Sequence, residues 1–294
     1  ITCYKYIIII YLYTMPEGPE VKRTVDSLKK YKNYLIKKIT INSGRYTKKN
    51  FKKQNSLFDD LPLKIIDINC KGKFIYFKLS NNMYIFNTLG MSGYWTTDNI
   101  KHNNVSFILE KKKKKTILHF NDVRNFGTLM YQTEKDLESK LKCLGVDVIE
   151  DYNKFDEFKK RLERKRDNGF IGTALLDQKV AAGCGNYMRA EVLYHSKISP
   201  YRKLSDIKLD ELRTLWYNLT RIAWIFYDIK KALKLKVLAK KDFLYKNYYI
   251  KDYYEYGYYA NFNVYFQNVD NNGNEVIKEK MGPRTIHWVP NIQK

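Results

Sequence analysis

The hydrophobic period of this chain changes once along its length, and that change decides its architecture. From Ile39 onward the pattern is that of strands. Gly72–Leu79 alternates residue by residue, turns at Asn81-Asn82 and resumes at Met83–Phe86, the signature of a hairpin. Val105–Leu109 and Thr116–Phe120 make a second pair around the lysine run Lys111–Lys115. Near Glu134–Leu144 the alternation gives way to helical spacing, with helices expected at Phe155–Arg164, Thr173–Lys179, Asn186–Ser196 and Asp206–Tyr227. A strand-rich half followed by a helix-rich half predicts an α+β chain. Its 294 residues are enough for two separate cores, with the boundary expected around Gln132–Lys135.

Both ends add detail. Pro19 suits the first turn of a helix, Glu20 there complements the helix dipole, and Val21, Val25 and Leu28 recur at helical spacing. After Asp252 a Tyr-rich segment leads to Val264–Gln267. A turn at Asp270-Asn271-Asn272-Gly273-Asn274 and a return strand through Thr285–Trp288 predict a terminal β-hairpin. Ile1–Thr14 has one lysine and a short apolar core, as a signal peptide would, but no small-residue cleavage site follows. Residues 1–14 therefore read as translated sequence upstream of a start at Met15. The longest apolar run, Tyr6–Met15, falls short of the about 20 residues that span a bilayer, so no membrane partner is expected.

Charge names the class of partner. Lys+Arg 54 against Asp+Glu 31 gives +23 on a chain whose 44% hydrophobic residues mark it as globular. A polyanion is expected, and nucleic acid first among polyanions. The four cysteines and four histidines are scattered with no metal-site spacing. No metal, no cofactor and no disulfide framework are expected, and a reducing compartment, nucleus or cytoplasm, fits. Lys111–Lys115 reads as a solvated loop.

One motif carries chemistry. With Met15 removed, Pro16 becomes a terminal secondary amine. Attack by that amine on an aldehyde-like carbon gives an iminium, an electron sink that makes neighbouring bonds breakable. The positive end of the following helix favours the neutral, nucleophilic amine, and Glu17 alongside can shuttle protons. The plainer reading is that Pro16 and Pro19 stiffen a helix start.

Pro16-Glu17-Gly18-Pro19-Glu20-Val21 directly after a methionine resembles the amino terminus of the formamidopyrimidine-DNA glycosylase and endonuclease VIII family. Gly72-Lys73, Leu89-Gly90-Met91-Ser92-Gly93 and Asn121-Asp122-Val123-Arg124-Asn125-Phe126-Gly127 follow in the family's order. So do Ala174–Lys179 and Gly183-Cys184-Gly185-Asn186, running on to Pro200. The resemblance implies a β-sandwich catalytic domain over 15–132, a helical domain with a helix–two-turn–helix element over 133–262, and a finger hairpin over 263–294. Damaged DNA would lie in the cleft between the domains, bound by a monomer. No cysteine follows Cys184, so the end of the chain is similar to the zincless finger of endonuclease VIII-like members of eukaryotes and giant viruses.

The family also implies roles. Pro16 displaces the damaged base and forms a Schiff base with the opened sugar. Glu17 protonates or positions the ring oxygen, and β- then δ-elimination cuts the strand. Glu20 is similar to a second acidic residue near the site, and Lys73 to a lysine that holds a phosphate beside the lesion. Asn186, with Gly183 and Gly185 before it, opens a helix whose N–H groups suit phosphate, or is a plain N-cap with turn glycines. Arg284 contacts phosphate from the finger, while His287 reads as a packed histidine. Met91, Arg124 and Phe126 resemble the residues that fill the void left by an extruded base. Taken alone, Met91 and Phe126 would be core residues and Arg124 a surface charge; the glycines beside them argue for exposed turns. Asn186–Glu191 looks closer to the endonuclease VIII branch, which implies oxidised pyrimidines and hydantoins as substrates. Two other readings stand beside the enzyme. One is a non-catalytic damaged-DNA-binding protein, if residues before Pro16 are retained; the other is a packaging protein that needs only charge.

Overall fold

The computed structural model describes residues 15–165, 169–241, 244 and 262–294; the expected extension 1–14 and most of the Tyr-rich segment lie outside them. The chain divides into two compact units, one running to Cys143 and one from Leu144 that also takes in Glu17–Pro19.

Helix α1 (Gly18–Leu28) buries Val21, Val25 and Leu28, the stripe its spacing predicts. The rest of the first unit is one antiparallel sheet. Its strands are β1 (Leu35–Ile41), β2 (Leu63–Lys71), β3 (Phe74–Leu79), β4 (Tyr84–Thr88), β5 (Tyr94–Thr96), β6 (Asn103–Lys111), β7 (Lys114–Asn121) and β8 (Thr128–Gln132), in the order β5-β7-β6-β1-β2-β3-β4-β8. β1 and β2 pair only at Leu35↔Lys64 and Ile36↔Leu63, so the sheet folds there into two layers. Phe77 of β3 meets Trp95 of β5 and Phe107 of β6 with ring centroids 5.6 and 6.4 Å apart, which places the core between the layers. The two expected hairpins form as β3–β4 and β6–β7, in which Lys78 faces Tyr84 and Leu109 faces Thr116. Two short helices, α2 (Gln54–Asp59) and α3 (Glu134–Cys143), complete the unit.

The second unit is built around α6 (Asn186–His195), which follows α4 (Phe155–Glu163) and α5 (Ile171–Ala174), with the parallel pair β9 (Val146–Asp147) and β10 (Ala181–Ala182) beside them. Helix α7 (Leu209–Lys234) and the hairpin β11 (Ile277–Met281)–β12 (Arg284–Trp288) pack on α6. From Asn186 to Tyr194 every residue of α6 is buried, including Arg189 and Glu191. Two expected elements differ. The Thr173–Lys179 helix is only the single turn α5, because Asp177 Oδ1 accepts the Lys179 amide at 2.8 Å and turns the chain. Val264–Gln267 is no strand. Glu191 accepts the amides of Asn263, Val264 and Tyr265 at 2.9 to 3.0 Å, so those groups are unavailable to a ladder. β11 takes that place as partner of β12, across a two-residue turn with Gly282 at φ +61. The Asp270–Asn274 turn forms as expected, with Asp270 Oδ1 accepting the amides of Asn272 and Asn274.

Glu191 is thus a buried carboxylate that satisfies three backbone amides and the Asn263 side chain. Glu191→Ala leaves those donors buried and unmet, a loss of about 3 kcal/mol or more in chemical denaturation. Glu191→Gln, which keeps one acceptor oxygen, should lose less.

Candidate active site

The residue after Pro16 is fixed by a helix terminus. Glu17 is buried, its Oε1 accepts the Tyr187 amide at 2.9 Å and its Oε2 the Met188 amide at 3.3 Å. These N–H groups of the first turn of α6 have no acceptor within the helix, so a carboxylate sits at the positive end of the helix dipole. Next to it, Gly18 donates its amide to Gly183 O at 2.9 Å. A Cβ on Gly18 would lie 3.0 Å from Gly183 Cα, so glycine is what allows the two backbones to meet. Gly183 itself has φ +104.

The same helix start holds the terminal hairpin. Asn186 Nδ2 and Arg189 Nη2 both donate to the Thr285 carbonyl, at 2.9 and 3.1 Å. Arg189 also donates to Asn186 Oδ1 and to Gly172 O. Its guanidinium is wholly buried, and desolvation lowers its pKa to about 10. Arg284, the residue before Thr285, is exposed on the hairpin. The Tyr265 phenol is pushed up to about 12 by burial and by the Glu17 charge. The structure therefore gathers Glu17, Gly183, Gly185 and Asn186 with the strand that carries Arg284. Two amides that could have met a phosphate at the helix start are occupied by Glu17.

The first unit presents two loops joined by one carboxylate. Asp122 is buried; its Oδ1 accepts the Ser92 hydroxyl at 2.6 Å and its Oδ2 the Gly127 amide at 2.6 Å. Ser92 Oγ in turn accepts the Arg124 amide at 3.1 Å. Backbones touch as well: a Cβ on Gly90, at φ +65, would come within 2.5 Å of Gly127 N. Asn104 ties the base of the loop by accepting the Asp122 amide and donating to Asn125. Met91 is half-buried, Arg124 is exposed, and Phe126 is 53% exposed with the Arg124 guanidinium 5.4 Å from its ring. The three expected void-filling residues sit on turns that Asp122 makes into one body.

Pro16 is half-buried, and Glu20 is buried with its Oε1 3.0 Å from Arg23 Nη2. Lys73 is half-buried at the two-residue turn between β2 and β3, where Gly72 has φ +56. Asp122, Ser92, Arg189 and Glu191 lie within the motifs, where the residues alone give them no role of their own. A signal existed for the last two, an ion of each sign among the Tyr, Met, Ala, Val and Leu residues between Asn186 and His195. None of the sequence features marks Asp122 as buried.

Two outcomes follow from this geometry. Asp122→Ala takes the acceptor from both the Ser92 hydroxyl and the Gly127 amide, so the loops part; any activity that needs Met91, Arg124 and Phe126 held together should fall at least tenfold while the melting temperature moves by only a few degrees. His287 is buried beside Tyr265 with Nδ1 unpartnered among the described residues, and burial with nearby Lys278 and Arg189 lowers its pKa to about 4. Between an unfolded value of about 6.5 and that folded one only the unfolded state takes up the proton. Stability should decline as pH falls through that window, and His287→Phe should flatten the decline in melting temperature. His195, lowered to about 3 by burial, leaves a remainder.

Comparison with known proteins agrees with this layout. Residues 15–129 match the formamidopyrimidine-DNA glycosylase N-terminal domain and residues 144–236 the formamidopyrimidine-DNA glycosylase H2TH domain. The chain is 32% identical over 313 residues to the formamidopyrimidine-DNA glycosylase of Prochlorococcus marinus, covering 95% of this chain and 100% of that protein. It is 29% identical to that of Mycoplasma genitalium, covering 95% and 96%. A solved LlFpg complex with THF-DNA and an inhibitor superposes with TM-score 0.74 at 25% identity, over 95% of this chain and 100% of that one. The Thermus thermophilus Fpg structure gives 0.71 at 22%, over 95% and 98%. The named relatives are thus of the formamidopyrimidine branch, where residues 186–191 had pointed to endonuclease VIII. By motif, fold and sequence identity, this chain belongs to the formamidopyrimidine-DNA glycosylase family.

Proposed function

We propose that the chain is a base-excision-repair DNA glycosylase with abasic-site lyase activity, acting through Pro16 in a form that begins at that residue. The observation that carries this reading is the clamp on Glu17. A carboxylate held by two helix amides sets the position of the residue before it, so the ring nitrogen of Pro16 starts from a defined place. The sugar ring oxygen is an acceptor only, so the contact that counts is a proton carried to it by the carboxyl group of Glu17.

The chemistry balances without a cofactor. The neutral Pro16 nitrogen forms a bond to C1′ as the bond to the damaged base breaks; the base leaves with the electron pair and takes up the proton that the amine gives up. A proton delivered to the ring oxygen, through Glu17, opens the sugar and leaves an iminium. Loss of a C2′ proton into that electron sink expels the 3′ phosphate, and a second elimination expels the 5′ phosphate. Lys73 and Arg284 offer cations for the flanking phosphates, and Glu20 lies one helical turn beyond Glu17 on α1. Met91, Arg124 and Phe126 fill the space of the extruded base.

Oxidised bases are the substrates of this reading, pyrimidines and hydantoins before others. Lactococcus lactis Fpg has been solved with FAPY-dG DNA and with oxidised-pyrimidine DNA, so both classes belong in a substrate panel. A chain that keeps Met15 has an amide at Pro16 and no lone pair to attack with, which is the one circumstance that favours a purely damage-binding role.

The test compares two preparations on abasic duplex DNA under borohydride. The form beginning at Pro16 should give a covalent adduct, and the form with a blocked or extended terminus should give none. Pro16→Gly should retain part of the adduct through its primary amine. Equal trapping by the blocked form would overturn the assignment.

A further inference from the structure

We infer that the tip of the β6–β7 hairpin is a second docking surface for nucleic acid, distinct from the loops that carry Met91, Arg124 and Phe126. Lys111–Lys115 are all exposed. In the ladder Lys111 lies directly opposite Lys114, and like charges so placed repel. Only part of the tip is relieved internally. Lys115 faces Glu110, and Lys111 Nζ lies 5.5 Å from the Tyr34 ring. The next strands add to the positive field. Lys38 of β1 pairs with Ile108 of β6, and Lys64 of β2 pairs with Leu35, whose other partner is Glu110; both lysines are exposed. A row of closely spaced cations with one carboxylate among them is matched by a phosphate backbone, which removes the cross-strand repulsion and releases counterions on contact.

Strand direction separates this surface from the lesion loops. β7 runs from the tip at Lys114 to Asn121, and the Asn121–Gly127 loop follows at its far end. Seven residue steps of about 3.3 Å put roughly 23 Å between them. A duplex that crosses the strands at the lesion loops is about as wide as that and leaves the tip uncovered. The partner is therefore a second segment of DNA, undamaged and read without sequence. Such a contact would keep the protein on DNA between lesions.

The test uses the full chain and two short duplexes. The lesion site is saturated with an unlabelled 12-base-pair duplex holding a tetrahydrofuran abasic analogue, and a labelled undamaged duplex of the same length is then titrated in at low salt. The protein should bind the second duplex. Lys111→Thr/Lys113→Thr/Lys114→Thr should weaken that binding at least tenfold and reduce the log–log salt slope by about 3, since each lost phosphate contact removes roughly 0.9. Lys111→Arg/Lys113→Arg/Lys114→Arg should retain it, which separates charge from folding. Excision on a short damaged duplex should be unchanged by either triple substitution. That readout keeps failure of this surface apart from failure of the glycosylase reading. No second binding, or equal binding by the threonine variant, would overturn the inference. Capture of a polyglutamate peptide in place of DNA would overturn it too, in favour of an acidic protein.

Discussion

The candidate site depends on one interaction, a buried carboxylate placed on a helix N-terminus. Glu17 meets the Tyr187 and Met188 amides 170 and 171 residues away in sequence. Such a contact serves both partners. The helix gains a cap for donors that have no intrahelical acceptor, and the carboxylate gains hydrogen bonds and a favourable dipole in place of water. It also explains why the residues around it are small. Gly18 and Gly183 meet backbone to backbone, and any side chain at Gly18 would crowd that contact. What is fixed is the start of α1, and with it the proline that precedes Glu17.

The same device recurs. The candidate site residues are positioned by buried polar and charged side chains that touch backbone. Asp122 joins the Met91 turn to the Arg124 and Phe126 turn. Arg189 and Asn186 hold the carbonyl beside Arg284. Glu191 gathers the amides of residues 263–265 ahead of the hairpin. Each buried charge is costly unless its hydrogen bonds are met, so each site has a strong preference for a single arrangement. That would suit the proposed entry of Met91, Arg124 and Phe126 into a DNA stack, because a loose loop would lose the needed geometry.

How much of this was legible in the residues follows from what each signal encodes. Alternation along Gly72–Phe86 and Val105–Phe120 is local and produced the right hairpins, because side-chain period and ladder pairing are the same fact. The α1 stripe was legible for the same reason. The Val264–Gln267 strand failed because a residue some 70 positions earlier, Glu191, takes its amides, and no local pattern reports that. The short α5 failed because the Asp177 side chain outcompetes the helix for one amide. In the candidate site, motif glycines pointed to the turns that carry Met91 and Phe126. Burial of Asp122 and Arg189 is a property of the assembled fold, and only the structure displays it. The lysine run read as a solvated loop; its place opposite itself in a ladder gives it another meaning.

On the proposed chemistry the bond to sugar forms at the ring nitrogen of Pro16. Mass-spectrometric peptide mapping of a reduced enzyme–DNA complex locates that bond directly. After nuclease and trypsin digestion, the sugar remnant should ride on the peptide Pro16-Glu17-Gly18-Pro19-Glu20-Val21-Lys22, with fragmentation placing it on the first residue. A remnant on a lysine elsewhere, Lys73 above all, would contradict the account.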